Sequence, residues 1–481
     1  MPEQSLQPEL RFLTGRHTLS REQKYGAGLL VIALGVRAAC LWGRLADPAW
    51  AVARFDEQAY LDLATTVCDS GLVAGREAWH LSPLWLLVVA LVRAIFGDPL
   101  LPIFVLNALC GVGATLVAYR IAAGLVGGGA AFVAALLGTL CGPALFYELT
   151  PMPDALVGLT IAMATQAHLE LERSPSVRRA AVALGAVGIA SLARASALIW
   201  VPWILWVVAR APGSRRERAQ RAVAGLVALL AVLSPVAIRN ALAAGDLQVV
   251  GDSGGIDLFI GNGPGATGTW RAPPGFDGES TEDLFRYARE VAARDSGATS
   301  SWSVQGYWVH RTMEGVLDNP QAWLAVLANK VRFSLSDGEI GDNRDYASER
   351  RFNAVLALPV FPSVAPLLAL GWVGLVLSWN TTARRALLAS GVLLPACTLL
   401  GFFVLGRYRI GFGAPWIIAS ALTLSSIAAA ARERRWQDAA VPLVSSVAIV
   451  VASMTVQVPR PSAARLELLR SVDLQRSRSQ D

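Results

Sequence analysis

The sequence is poor in charge. Only 16% of its 481 residues are Asp, Glu, Lys or Arg, whereas about a quarter is usual in a soluble domain. Hydrophobic residues make up 54% of the chain, and its mean hydropathy is +0.46. This composition excludes an ordinary soluble enzyme and predicts repeated insertion into a lipid bilayer.

Cysteine motifs, targeting signals and repeats are also lacking. The five cysteines include no CxxC pair, which argues against a disulfide framework or a zinc site. The polar N-terminus through Lys24 lacks the apolar core and cleavage site of a signal peptide, so the first span is expected to remain as an anchor. The formal net charge of +6 lies in short Arg clusters between apolar segments, which is typical of membrane orientation rather than nucleic-acid binding.

Apolar segments near the length of about 20 residues that crosses a bilayer predict about eleven transmembrane helices. They lie near residues 26–46, 101–122, 128–149, 154–169, 180–193, 195–209, 222–239, 352–377, 385–405, 411–430 and 437–456. One further apolar segment, 82–97, is short and contains Arg93. If it lies in the membrane interface instead of crossing, the Arg-rich loops all fall on the cytoplasmic side, as the positive-inside rule favours.

This topology divides the chain into alternating membrane and aqueous parts. They are a cytoplasmic segment 1–25, a transmembrane module 26–239 with an outer loop 47–99, an extracytoplasmic domain 240–351, C-terminal transmembrane helices 352–456 and a charged tail 457–481. The extracytoplasmic domain is expected to be mixed α/β. Its pattern predicts a strand at 247–250, helices near 281–294 and 302–317, and another helix after Asn319-Pro320.

Two acidic signals lie at the outer face in this topology. Asp56 and Glu57 open an amphipathic run that ends at Gly71, and Asp154 opens a helix after Pro151-Met152-Pro153. All three acids could serve only as helix caps or favourable first-turn charges. Because they share one membrane face, they could instead act together in base catalysis or cation binding.

Basic side chains accumulate at the same face. His80, Arg194, Arg407 and Arg409 all follow or precede predicted spans there. Each could simply extend toward the lipid headgroups. Several cations on the outer face run against the usual bias, however, and this indicates a bound anion such as a lipid-linked phosphate. A formal GxGxxG match at 263–268 is followed by Pro273-Pro274 and by no helix, so nucleotide binding is rejected.

Short motifs occur in a defined order along residues 25–435. They are Asp56-Glu57-x-x-Tyr60, His80…Ser82-Pro83-Leu84, Pro153-Asp154, Arg194, Arg239-Asn240, Gly254-Gly255…Asn262…Gly268, Asn319-Pro320…Lys330…Phe333, Glu339-Ile340…Asn343 and Arg407-Tyr408-Arg409…Pro415. In this order they resemble the dolichyl-phosphate-mannose-protein mannosyltransferase-like family of GT-C glycosyltransferases. The bacterial aminoarabinose transferases are related to this family.

The resemblance implies a GT-C fold, all-α in the membrane, with two juxtamembrane helices in the first outer loop. It implies an inverting hexosyl- or pentosyltransferase in the bacterial cytoplasmic membrane with its active site facing outside. Such an enzyme moves a sugar from a polyprenyl-phosphate donor to an extracytoplasmic glycan, lipid or protein. The partners are then the donor, the acceptor and the bilayer, with no nucleic acid.

The resemblance also assigns roles to particular residues. Asp56 aligns with the acid named as the catalytic base and Asp154 with a second outer-loop acid, while Glu57 or Asp154 is expected to orient the acceptor or bind a cation. Donor-phosphate or substrate binding is expected from a wider set, namely His80, Arg194, Arg407, Arg409, Tyr60 and Asn262. No cofactor is certain; a divalent cation, if there is one, is expected at Asp56 or Asp154.

Two features of the site stay open at this point. Arg407 and Arg409 could both grip one phosphate if the chain around them is extended, whereas a helix would turn them about 200° apart. Ser82-Pro83 replaces the family's common Pro-Pro, and Ile410-Gly411-Phe412-Gly413 lacks its usual proline, which bears on substrate geometry more than on reaction class. The rival reading is a multi-span transporter or lipid flippase, although such proteins usually show internal symmetry between halves.

Overall fold

The computed structural model describes residues 20–73, 77–278, 280–381, 383–459 and 470–475. Within these ranges the chain is helical and contains no β-strand, so the predicted all-α polytopic fold is confirmed. Residues 240–351 are called the outer domain after their predicted location. The expectation that they are mixed α/β is wrong where the structure describes them, because 247–250 has no partner strand and Gly254 already begins a helix. Most of the predicted N-terminal segment (1–19) and parts of the predicted tail (460–469 and 476–481) lie outside the described residues.

The α-helices follow one another closely along the chain. They are α1 (Arg21–Leu45), α2 (Asp56–Ser70), α3 (Pro83–Phe96), α4 (Leu100–Val126), α5 (Gly128–Thr139), α6 (Gly142–Tyr147), α7 (Asp154–Arg173), α8 (Val177–Ala193), α9 (Trp200–Arg210), α10 (Arg215–Ala244), α11 (Gly254–Asn262), α12 (Thr281–Ser296), α13 (Ser301–Asp318), α14 (Pro320–Ser334), α15 (Tyr346–Glu349), α16 (Ala365–Leu377), α17 (Arg384–Leu388), α18 (Gly406–Ile410), α19 (Gly413–Arg432) and α20 (Trp436–Thr455). Short 3-10 helices cover Ala195–Ile199, Arg350–Phe352 and Ser378–Asn380, and π-helices cover Ala389–Leu393 and Ala396–Leu400.

Five helices of the described chain are long and apolar enough to cross a membrane unaided: α1, α4, α10, α19 and α20. Other predicted spans are built from shorter pieces. The predicted span 128–149 is interrupted between α5 and α6, where Pro143 lies in the first turn of α6 and cannot continue the α5 ladder. The count of about eleven spans therefore stays a prediction.

Close packing of the bundle depends on small residues. Helix α8 packs along α10, and α16 packs along α19. A Cβ on Gly374 of α16 would collide with the carbonyl oxygen of Ala419 on α19, so only glycine allows this approach. Lipid tails are as apolar as helix side chains, so the hydrophobic effect does not drive helices together inside a membrane. Close backbone contacts of this kind are instead a main source of helix association.

Helices α2 and α3 lie side by side and run in the same direction. The Ser82 N–H donates to Tyr60 Oη over 3.0 Å at one end, and Cys68 Sγ contacts the Ala90 carbonyl over 3.4 Å at the other. Helix α3 has 14 residues and so spans about 21 Å, which is short for a hydrocarbon core of about 30 Å. The interfacial position of α3 stays a prediction.

The outer domain packs on this pair. Its α12 and α13 match the predicted helices, and α14 begins as predicted, with Asn319 Oδ1 accepting from the Ala322 N–H over 3.0 Å. The Asp252 N–H donates to the Trp79 carbonyl over 2.8 Å. The two segments predicted to lie outside therefore contact each other, and the first turn of α2 is held beneath the domain.

Candidate active site

Asp56 lies at the first position of α2, where the outer domain meets the bundle. Its Oδ1 accepts from Thr281 Oγ1 over 2.7 Å, and its Oδ2 accepts from an Arg407 terminal nitrogen over 2.9 Å. About a quarter of the side chain is exposed. Phe55 before it has φ 47°, a left-handed conformation that is uncommon for a bulky residue and is often found at functional sites. Asp56 is thus a fixed carboxylate that solvent can still reach.

Arg407 connects three carboxylates. Besides Asp56, its Nε donates to Asp342 Oδ2 over 2.7 Å, and its other terminal nitrogen lies 4.0 Å from Asp154 Oδ2. The guanidinium is nearly buried. Its planar fork matches several oxygens at once, which an ammonium would not do. Arg407 is therefore the centre of the site.

Asp154 begins α7 and is fully buried behind Arg407. Its Oδ1 accepts from Arg194 over 2.9 Å, and the Arg194 guanidinium lies 4.2 Å from the centre of the Tyr408 ring. Asp154 Oδ2 has no hydrogen-bond partner among the described residues. The structure thus brings together Asp56, Asp154, Arg194 and Arg407, all predicted for the site.

Two carboxylates at the site were not predicted. Asp342 bonds to Arg407, and burial raises its pKa above the ordinary value although Arg407 opposes this. Asp257, on α11, is half-buried, and its partial removal from solvent raises its pKa to about 7; it also interacts electrostatically with Asp56 and Arg407. Asp342 lies inside the quoted Glu339…Asn343 motif, but nothing in its spacing distinguishes it from its neighbours.

Glu57 does not face the site. It is fully buried and forms an ion pair with Arg344 over 2.8 Å, while its Oε2 also accepts from the Arg54 N–H over 3.0 Å. Successive helical residues point about 100° apart, so only one of the two acids can face Arg407. The expectation that Glu57 orients an acceptor or binds a cation has no support in this placement, and its contacts are those of an anchor for α2.

Arg409 also points away. Residues 406–410 form helix α18 rather than an extended stretch, so the expectation that both arginines grip one phosphate is wrong. Arg409 pairs with Glu339 over 2.8 Å and donates to the carbonyls of Ser336 and Gly338. It holds the chain before Asp342 in place, while Arg407 alone faces the carboxylates.

His80 and Tyr60 lie near the site without reaching Arg407. His80 stacks on Phe285 with ring centres 4.1 Å apart. Burial and the nearby Arg289 lower its pKa to about 4, so it is neutral at physiological pH and carries no charge for a phosphate. Tyr60 is buried, and its hydroxyl is used to join α2 to α3.

Asn262 is part of a buried clamp at the end of α11. Its Oδ1 accepts from Lys330 Nζ over 2.7 Å, and its Nδ2 donates to the Gly401 carbonyl over 2.7 Å. Lys330 also donates to the Leu400 carbonyl over 2.9 Å, and burial lowers its pKa to about 7. These contacts tie the outer domain to the segment that leads to Arg407, so Asn262 is placed to support the site rather than to touch a substrate.

Carboxylates outnumber arginines at the site. Arg194 and Arg407 face Asp56, Asp154 and Asp342, while Asp257 adds a further negative charge when it is ionised. Among the described residues, no group of three or more His, Cys, Asp and Glu side chains is arranged to hold a metal ion. The guanidinium of Arg407 stands between the two acids predicted as possible cation ligands. The site therefore has a solvent-accessible carboxylate, Asp56, beside the guanidinium of Arg407. An anion could replace one of the carboxylates that Arg407 binds.

The fold and the site define an all-helical membrane protein with an acid–arginine cluster between its bundle and an outer domain. Residues 80–238 match the family model for dolichyl-phosphate-mannose-protein mannosyltransferase. This confirms the predicted resemblance over about a third of the chain. The match includes Asp154 and Arg194 but neither Asp56 nor Arg407. The sequence matches no curated protein.

Solved glycosyltransferases resemble parts of the fold. The oligosaccharyltransferase AglB of Archaeoglobus fulgidus, in complex with an inhibitory peptide and a dolichol-phosphate, has a TM-score of 0.47 at 14% identity over 92% of this chain and 57% of its own. ArnT from Cupriavidus metallidurans bound to undecaprenyl phosphate has 0.36 at 16% identity over 84% and 79%. The S. cerevisiae protein O-mannosyltransferase Pmt1-Pmt2 complex, bound to the sugar donor, has 0.37 at 17% identity over 50% and 36%.

This chain spans little more than half the length of the archaeal oligosaccharyltransferase. All three TM-scores are below 0.5, so these likenesses carry no argument about its activity. The family match and the geometry of the site remain as the basis for assigning a function.

Proposed function

We propose that this protein is an inverting glycosyltransferase that moves a sugar from a polyprenyl-phosphate donor to a hydroxyl acceptor. The observation that carries the proposal is the contact between the accessible carboxylate Asp56 and the buried guanidinium of Arg407. A base and an anion-binding cation side by side are what transfer from a phosphate leaving group needs. The family match over residues 80–238 supports the same reaction class.

In the proposed reaction the acceptor hydroxyl oxygen attacks the anomeric carbon while Asp56 accepts its proton. The bond from that carbon to the phosphate oxygen breaks, and its electron pair leaves with the polyprenyl phosphate. Arg407 holds the growing negative charge by exchanging a carboxylate for a phosphate oxygen. Asp154 and Arg194 keep the guanidinium oriented from behind. Attack on the face opposite the phosphate gives inversion.

We further propose that the site faces the outside of the cytoplasmic membrane. The distribution of Arg clusters supports this orientation, and so does the packing of residues 240–351 on the first outer loop. A transporter or flippase has no comparable support, because the charged cluster lies between the bundle and the outer domain rather than along a path through the bundle.

The test is carrier release by the purified full-length protein given polyprenyl-phosphate sugars and a mixture of envelope acceptors. Asp56→Asn keeps the side chain's shape but removes proton acceptance, so turnover should fall by about 10²-fold or more. Because Asn can still accept from Thr281, folding should survive. Wild-type turnover in this variant would move the role of base away from Asp56, and no carrier release by the wild type with any donor would sink the proposal.

A further inference from the structure

Residues 470–475, beyond the last membrane helix, lie against loop 46–55, which leads into Asp56. The segment is helical. Asp473 is almost completely buried, and its two carboxylate oxygens accept from two nitrogens of Arg54. Paired bonds of this kind between Arg and a carboxylate are the strongest and most directional of the side-chain hydrogen bonds.

The second charged residue of the segment reaches the other end of the same loop. Arg470 donates to both oxygens of Asp47 over 3.0 and 2.5 Å, and its guanidinium lies 4.0 Å from the centre of the Phe352 ring. Burial opposes the charge of Asp47, but the bonds from Arg470 and from the Ala49 N–H hold its pKa below the ordinary value. Positions 470 and 473 are three apart, which places both on one face of a helix.

The two contacts match in charge at both ends of loop 46–55. Asp473 of the segment pairs with Arg54 of the loop, and Arg470 of the segment pairs with Asp47 of the loop. The ion pairs around the loop fall into two neighbouring groups, which are Arg44 and Arg470 with Asp47, and Arg54 and Arg344 with Glu57, Glu349 and Asp473. Together the two groups contain four cations and four anions. A buried network with equal charges is stable only while its members are all paired.

We infer that residues 470–475 act as a clip that fixes loop 46–55, with Asp473 and Arg470 as positioning residues for Asp56 at the start of α2. The route is short. Asp473 fixes the Arg54 side chain, the Arg54 N–H donates to Glu57, and Asp56 lies between those two residues. The clip also fixes the chain before the strained Phe55, while the Glu57–Arg344 ion pair fixes the chain after it. The catalytic part of this inference rests on the proposed function.

The first experiment measures amide hydrogen exchange in residues 46–55 of the full-length protein. Asp473→Asn and Arg470→Gln should each speed exchange there by about tenfold, because a charge-assisted pair at one end of the loop is lost. The matched control is Gln475→Ala, an exposed position on the same segment, which should leave exchange unchanged. Wild-type exchange in both test variants would overturn the inference, whatever the activity of the protein.

The second experiment separates positioning from general stability. Asp473→Asn should lower turnover by about tenfold while the Michaelis constant for the donor stays the same, because Arg407 does not contact the clip. Asp473→Glu should recover part of the turnover, since it restores the charge. If the test variants exchange faster in the loop but even the wild type releases no carrier, the proposed function is contradicted while the structural role of the clip is supported. Altered donor affinity with unchanged turnover would contradict the positioning role.

Discussion

Replacing Arg407 by Lys is the sharpest test of the site. The substitution keeps one positive charge but removes the fork that reaches Asp342 and Asp56 over 2.7 and 2.9 Å at the same time. A single ammonium nitrogen cannot take both positions. In the Arg407→Lys variant we therefore expect the donor phosphate to form one charge-assisted bond fewer with residue 407 than in the wild type.

The size of the effect follows from that lost bond. A hydrogen bond to a charged group contributes about 1.5–3 kcal/mol, and about 1.4 kcal/mol corresponds to a tenfold change in affinity. Binding of a polyprenyl-phosphate analogue should therefore weaken by about 10- to 150-fold. The assay is equilibrium binding to the purified variant, with thermal unfolding measured in parallel. Arg407→Ala is less informative, because it leaves the buried Asp154 and Asp342 short of a cation and threatens folding.

Arg409→Lys is the matched control for this experiment. Arg409 is equally buried and bonds to Glu339 and two carbonyls, so its replacement disturbs the fold in a similar way. Since it faces away from Asp56, donor binding should stay at the wild-type level in whatever fraction folds. Equal weakening in both variants, or normal binding in Arg407→Lys, would refute the assignment of the phosphate to Arg407.

Two further predictions concern charge and orientation. The pKa of Asp257 is raised to about 7, so the residue gains a negative charge near Asp56 and Arg407 as pH rises through that value; donor affinity should fall between about pH 6 and 8, and Asp257→Asn should remove this slope. An unchanged slope in the variant would show that another group titrates. In a background lacking Cys68, a membrane-impermeant maleimide should label Thr299→Cys on intact cells but not Arg216→Cys, because the positive-inside rule places only the first outside. The opposite labelling pattern would reverse the proposed orientation.

The fold class and the helix ends set by local signals could be predicted from the amino-acid sequence. Low charge and repeated apolar segments were sufficient to predict a multi-span helical protein. The start of α14 at Asn319-Pro320 and the end of α2 at Gly71 follow from capping preferences, which act within one turn of helix. The membership of Asp56, Asp154, Arg194 and Arg407 in one cluster was reached through the family resemblance and the shared membrane face.

Which of Asp56 and Glu57, and which of Arg407 and Arg409, faces the site could not be predicted without the three-dimensional fold. Asp56 is adjacent to Glu57 in sequence, and Arg407 lies two residues before Arg409. Asp56 contacts Arg407, whereas Glu57 and Arg409 each form a buried ion pair with another residue. That choice depends on helix phase and on distant partners such as Arg344 and Glu339, which no local pattern reveals. The same holds for Asp342 and for the contact of Asp473 with Arg54, where residues far apart in sequence pair because burying either charge alone would be costly.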